Sequence, residues 1–192
     1  RRLASDRTEA EMGITRRGWA AGVAGGIVAA GLAPPALAQP ALNRLRLRRS
    51  MSRLHVVFVP TGREWRGFWD PAARNEEAAE ALTSICADHR TGARVPIDYR
   101  LWSGLALIGG EPDVVRWEVV SAYRSYASNL EVGGALDSQH RRGRALDLRL
   151  PAALLEPVAE RLQSLRFGGV GRYPTHGFVH FDTRGTPANW VG

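Results

Sequence analysis

The chain has 192 residues, 44% of them hydrophobic and 23% charged, which supplies one core of ordinary size and not two. Its formal charge of +7 comes from 26 basic residues that are all Arg, a pattern that fits the codon bias of a GC-rich genome better than selection for a nucleic-acid surface. No aromatic residues interleave with the basic ones in any recognised binding motif, so nucleic acid is set aside as a partner, and the single Cys86 rules out an intramolecular disulfide.

The first segment reads as an address. From Thr15 the sequence runs TRRGWAAGVAGGIVAAGLAPPALAQ, a charged pair, a small apolar run and then Ala36-Leu37-Ala38, which fits the small-x-small rule for signal peptidase. Residues 1–38 are therefore expected to be an export signal cleaved after Ala38. Arg16-Arg17 before a weakly hydrophobic Gly/Ala stretch resembles a twin-arginine signal, although Trp19 stands where that pattern prefers Phe, and Sec export stays open. Residues 20–32 give about thirteen apolar positions where spanning a bilayer needs roughly 20, so no stable membrane anchor is expected in the mature form. Met12 opens a compact MGITRR region and is a candidate start. Residues 39–192 are then the folded domain, outside the cytoplasm.

That domain opens with a β-branched run, 54–59 (LHVVFV), closed by Pro60-Thr61-Gly62, and residues 64–69 can return beside it as an antiparallel partner. Residues 72–88 have helical composition, with Cys86 as a buried apolar thiol in the run 76–89. After the Thr91-Gly92 break, Asp98 caps a second helix in which Leu101, Trp102, Leu105 and Ile108 recur at helical spacing. Residues 117–122 (WEVVSA) read as a strand, 125–138 as a helix or loop, and 145–150 (ALDLRL) as a strand alternating between two faces. A helix covers 151–165, Gly168-Gly169-Val170-Gly171 is a flexible approach to a last strand at 177–182, and a short polar tail with Trp190 follows. The predicted class is α+β, a small mixed or antiparallel sheet flanked by helices.

Three of the five histidines fall between positions 140 and 180. In SQHRRGRALD, Gly143 permits a turn with positive φ, so His140 before the turn can converge with Asp147 on the following strand. Ala145 and Asp147 share one face of that strand, and Leu146 and Leu148 share the other. In FVHFD the same alternation sets His180 and Asp182 against Val179 and Phe181. Two imidazoles and one carboxylate leave a tetrahedral zinc with an open position for water, the arrangement that hydrolytic zinc uses to acidify water and polarise a carbonyl. Each histidine taken alone also fits a hydrogen-bonded structural role.

SQHRRGRALD matches the Ser-x-His-x-x-Gly-x-Ala-x-Asp motif of the M15-type zinc peptidases, and FVHFD supplies the last ligand of that pattern. The ordered runs DHRTGARVPIDYRLWSGLAL, SAYRS, SQHRRGRALDLRLP and GGVGRYPTHGFVHFDTRG resemble the YcbK-like (MepK) branch from about residue 43 onward. The resemblance implies a hedgehog/D-Ala-D-Ala peptidase-like fold and a periplasmic murein endopeptidase. Its substrate would be crosslinked peptidoglycan stem peptides, in the best-known relatives crosslinks between two diaminopimelate residues. Zinc is the implied cofactor, with His140, Asp147 and His180 as ligands. A wall-binding domain that keeps the metal without turnover, and a D,D-carboxypeptidase, are the other readings.

Arg124 in SAYRS matches the arginine expected near the substrate carbonyl, and it follows a strand, a suitable mount for a cation that stabilises an oxyanion. Many members carry Glu or His three residues before the last ligand, where this chain has Gly177. His176, one residue earlier, would share a strand face with Phe178 and His180 and is one candidate general base. Asp182, which also suits an orienting role, and Asp137 are the alternatives. Ser138 and Gln139 are expected to support the ligands, and Tyr173 and Trp190 to line the cleft or pack in the core.

Overall fold

A computed structural model of the chain describes residues 52–73, 75–109 and 116–192. The expected signal at 1–38 and its cleavage site lie outside the described residues. Strands β1 (Ser52–Phe58) and β2 (Arg63–Trp69) form the expected antiparallel hairpin, in register from Ser52 opposite Trp69 to Phe58 opposite Arg63. Helix α1 (Glu76–Ile85) is shorter than its helical composition because Asn75 caps it, its side chain accepting from the Ala78 N–H at 3.0 Å, with Glu76 and Glu77 in the favourable first turn. Helix α2 (Tyr99–Ile108) starts at the expected cap, Asp98, whose carboxylate accepts from the Arg100 N–H.

Strand β3 (Trp117–Ser121) runs parallel to β1, and α3 (Tyr126–Glu131), capped by Ser125, is the helical part of 125–138. Strand β4 (Ala145–Arg149), helix α4 (Ala152–Ser164), β5 (Gly169–Tyr173), β6 (Phe178–Asp182) and β7 (Ala188–Val191) complete the chain. The seven strands form one mixed sheet in the order β2-β1-β3-β4-β6-β5-β7, parallel at β1/β3 and β5/β7 and antiparallel elsewhere. Among the described residues no helix is long and apolar enough to cross a membrane.

Two expectations are corrected here. The glycine-rich segment 168–171 is mostly strand β5, and 177–182 is followed by a further strand, β7, in place of a polar tail. The glycines of β5 are small because other side chains lie against them. A Cβ at Gly171 would strike the Trp190 indole, and one at Gly169 would come within 2.7 Å of Asp182 Oδ2.

The alternation in β4 and β6 decides where the core and the site sit. Leu146, Leu148, Val179 and Phe181 are fully buried in the core cluster with Leu101, Trp102 and Leu105 of α2 and Leu162 of α4. Each such side chain contributes about 1.5–3 kcal/mol by leaving water. Gly104 of α2 lies on the Phe181 ring, 2.8 Å from where a Cβ would stand, so helix and sheet approach closely. Asp147 and His180 therefore point from the opposite face, into a cavity clear of the helices.

Candidate metal centre

Asp147 and His180 sit directly opposite each other in the β4/β6 register, which brings their side chains together without any loop. His140 reaches the same point from a 3-10 turn, Gln139–Arg142, that ends at Gly143 with φ of 65°, the expected left-handed turn. A Cβ at Gly143 would also meet the Pro96 carbonyl at 2.5 Å, so glycine is required there on two counts. The inward atoms are His140 Nε2, His180 Nδ1 and Asp147 Oδ1. They lie 3.3 Å (Nε2 to Nδ1), 3.3 Å (Nε2 to Oδ1) and 2.8 Å (Nδ1 to Oδ1) apart.

The outward atoms are all engaged. His140 Nδ1–H donates to the Ala122 carbonyl at 2.7 Å, and His180 Nε2–H donates to Asp182 Oδ2 at 3.1 Å. Both partners only accept, so they fix the tautomers that leave the inward nitrogens unprotonated and available. Asp147 Oδ2 accepts from Arg124 Nη2 at 2.7 Å. Zinc bonded at about 2.0–2.1 Å in a tetrahedron holds ligand atoms about 3.3 Å apart. The donor set and its spacing fit that ion, and His140, Asp147 and His180 are the group among the described residues able to hold one.

The charges follow the geometry. Burial lowers the pKa of His140 and outweighs the neighbouring Asp147. For His180 burial opposes the charged form, but the hydrogen bonds to Asp147 and Asp182 prevail and the pKa is raised. Asp147 is held well below the usual carboxylate range, burial being overcome by His140 and His180. Asp182 is fully buried and also held low: its oxygens accept from His180, the Arg184 guanidinium and the backbone N–H groups of Gly169 and Arg184.

The cluster faces an open cavity of about 410 Å³, whose walls include Arg124, Asp137, Gln139, Tyr173, Arg184 and Trp190. Arg124 lies in this wall, with Nε also donating to Ser121 Oγ at 2.8 Å. Tyr173 and Trp190 line the cleft, joined by a hydrogen bond from Trp190 Nε1 to the Tyr173 hydroxyl at 2.9 Å. Ser138 and Gln139 form wall next to His140, and Gln139 Oε1 is buried without a hydrogen-bond partner. Asp182 lies behind His180, its Oδ2 accepting from His180 Nε2.

His176 departs from the strand geometry expected for it. It belongs to a 3-10 turn, Pro174–His176, closed by Gly177 with φ of 68°, and β6 begins only at Phe178. The imidazole is exposed, bonded to Thr175 Oγ1, and packs beside Tyr173 and Phe178 outside the cavity lining.

Three participants were not singled out from the sequence. The Ala122 carbonyl is a backbone atom with no residue signature. Arg184 sits within HFDTRG, where its one signal is the spacing, since an arginine two residues from a strand-face aspartate can fold back onto it. Asp88, only 2% exposed, accepts from the Ser125 N–H at 2.8 Å and so fixes the segment that carries Ala122 and Arg124. The turn signal Thr91-Gly92 and the family-like run DHRTGARV, which begins with Asp88, are its visible clues.

Comparison with known proteins agrees with the motif. A protein from Escherichia coli (strain K12) named peptidoglycan L,D-endopeptidase MepK is 32% identical over 132 residues, covering 64% of this chain and 70% of that protein. A Haemophilus influenzae protein named probable peptidoglycan L,D-endopeptidase MepK is 41% identical over 80 residues, 39% of this chain and 42% of its own length. The family model Peptidase_M15_2, described as peptidoglycan L,D-endopeptidase MepK, matches residues 48–190. That span holds the ligand motif, both central strands and every wall of the cavity, and the chain belongs to this family of hydrolases acting on peptide bonds.

Proposed function

We propose that the chain is a zinc-dependent murein endopeptidase, exported to the periplasm, that hydrolyses peptide crosslinks of peptidoglycan between an L and a D centre. The observation that carries this reading is the convergence of His140 Nε2, His180 Nδ1 and Asp147 Oδ1 at tetrahedral spacing, with both outer N–H groups committed elsewhere. The names of the relatives and the family match support the substrate class.

His140, Asp147 and His180 would hold the zinc, which when bound supplies a Lewis acid that acidifies water and polarises the scissile carbonyl. Arg124 is clamped by Asp147 and Ser121 on one edge, and its remaining N–H groups serve as a fixed cation for the negative charge that develops on the carbonyl oxygen. Asp182 holds the His180 ring in its tautomer and orientation. Asp137, a carboxylate in the cavity wall with no hydrogen bond to a ring nitrogen among the described residues, would take the proton from water, since Asp182 already accepts from His180, the Arg184 guanidinium and two backbone N–H groups, and His176 lies outside the lining.

Digestion of purified peptidoglycan by the zinc-loaded protein, with products identified by mass spectrometry, tests the reading. Crosslinked dimers should disappear and monomers with a new carboxyl and a new amine accumulate, with a chelator stopping the reaction. Binding without product would favour a wall-binding module, and release of terminal D-alanine alone a carboxypeptidase. Asp137→Asn should retain zinc and lower the rate by roughly 10²–10⁴, with His176→Ala close to wild type. The reverse ranking would return the base to His176.

A further inference from the structure

The cavity holds two guanidinium groups that are used differently. Arg124 stands on the Asp147 side of the cluster, where the proposed reaction places the carbonyl oxygen. Arg184 comes from the other wall. Its Nε and Nη2 edge forks onto Asp182 at 2.6–3.0 Å, and its guanidinium lies 5.2 Å over the Trp190 ring. Nη1 makes no hydrogen bond among the described residues, and 36% of the side chain remains exposed where it lines the cavity. Asp182 takes only the first edge, and the Asp137 carboxylate in the same cavity wall is the other negative charge that acts on this guanidinium, without a hydrogen bond to it.

The mount is rigid. Trp190 is tied to Tyr173 by its indole N–H and rests on Gly171, Tyr173 stacks on Phe178 at 4.4 Å, and the His180 ring is 5.4 Å from that of Trp190. A guanidinium held on one side by a buried carboxylate and on another by an indole loses little freedom when it binds an anion. It stands beside the ring that offers one of the inward nitrogens, on the side away from Arg124.

We propose that Arg184, backed by Trp190, receives a free carboxylate on the amine side of the scissile bond, and so selects crosslinks whose leaving nitrogen is flanked by an ionised carboxyl group. The inference rests on the endopeptidase reading above and narrows its substrate. In the hydrolysis, water adds across the amide: the carbonyl carbon takes the hydroxyl and the nitrogen takes the proton. Where that nitrogen comes from a side-chain stereocentre of the neighbouring stem, its α-carboxylate is one carbon away and unblocked, in contrast to an ordinary peptide bond, where the same carboxyl is an amide. A planar fork matches that anion in geometry as well as charge.

Two synthetic crosslinked dimers, one with this carboxylate free and one with it converted to the carboxamide, test the proposal on the zinc-loaded full chain. Wild type should cleave the free acid with kcat/KM roughly ten- to hundredfold higher, mostly through KM, as expected for one charge-assisted contact. Arg184→Gln should bring the ratio near one, and Arg184→Lys should restore part of it. Calorimetric binding of the amine fragment and its carboxamide should show the same preference without turnover. Equal cleavage of both dimers by wild type would overturn the role of Arg184 and leave the endopeptidase intact, whereas cleavage of neither would sink the parent reading. A variant that loses zinc and slows equally on both dimers would reduce Arg184 to a brace for Asp182.

Discussion

Asp147 divides its two oxygens between two tasks, Oδ1 toward both imidazoles and Oδ2 toward Arg124, so the position of the cation and the geometry of the ligand set are one problem. Replacement of His140, Asp147 or His180 by Ala should empty the site, because three protein ligands leave no redundancy, and metal analysis of the purified variants checks it. Retained stoichiometry in two of the three would refute the ligand assignment. Asp182→Asn should be milder, lowering zinc affinity by about 10- to 100-fold while the fold persists, since it weakens the hold on the His180 ring without removing a ligand. At this scale the sequence was most informative where a side chain acts alone. Motif spacing and strand alternation brought out His140, Asp147 and His180, and Arg124 stood in a recognisable run. It was silent where a contact is made by backbone, as with Ala122, or where two neighbours satisfy each other, as Arg184 does Asp182.

Between the elements, the joint from β3 to α3 carries both the acceptor for His140 and the cationic side chain, and Asp88 fastens it from the loop after α1. Burial raises the Asp88 pKa, but hydrogen bonds from Ser125, Ser128 and the Arg90 N–H outweigh it and hold the carboxyl well below its usual range. A carboxylate depressed in the folded state stabilises above its unfolded value of about 3.9 and loses that contribution as pH falls toward the folded value. Asp88→Asn should therefore cost about 1–3 kcal/mol in denaturant unfolding at neutral pH. The gap from wild type should close in acid below about pH 3.9; a gap independent of pH would remove Asp88 from this role. Strands β4 and β6 were legible because ALDLR and FVHFD alternate cleanly. Strand β5 was not, because Gly169 and Gly171 have no side chains to alternate, and β7 at four residues offers too short a pattern to separate from a tail.

Across the whole molecule, the three inward atoms come from positions up to forty residues apart, and zinc would clamp the centre of the sheet to the 3-10 turn. Zinc at a hundredfold excess over its Kd should add about 2.7 kcal/mol to the folded state. Thermal unfolding with and without zinc measures this, and the pH dependence has opposite signs in the two forms. Without metal, the raised pKa of His180 stabilises below its unfolded value of about 6.5, and this is lost as pH rises through the folded value. With metal, protons compete for the same nitrogen, so the zinc-induced shift should widen as pH rises. A shift that narrows with pH would contradict His180 as a ligand. The pairing of Asp147 with His180 across β4 and β6 has one more result. Slipping these strands by a single residue would turn one of the two side chains into the hydrophobic interior and leave its partner facing an apolar side chain. Only one alignment of the two strands brings the inward atoms together, so an ion bound there would discriminate a correctly assembled sheet from its near misses.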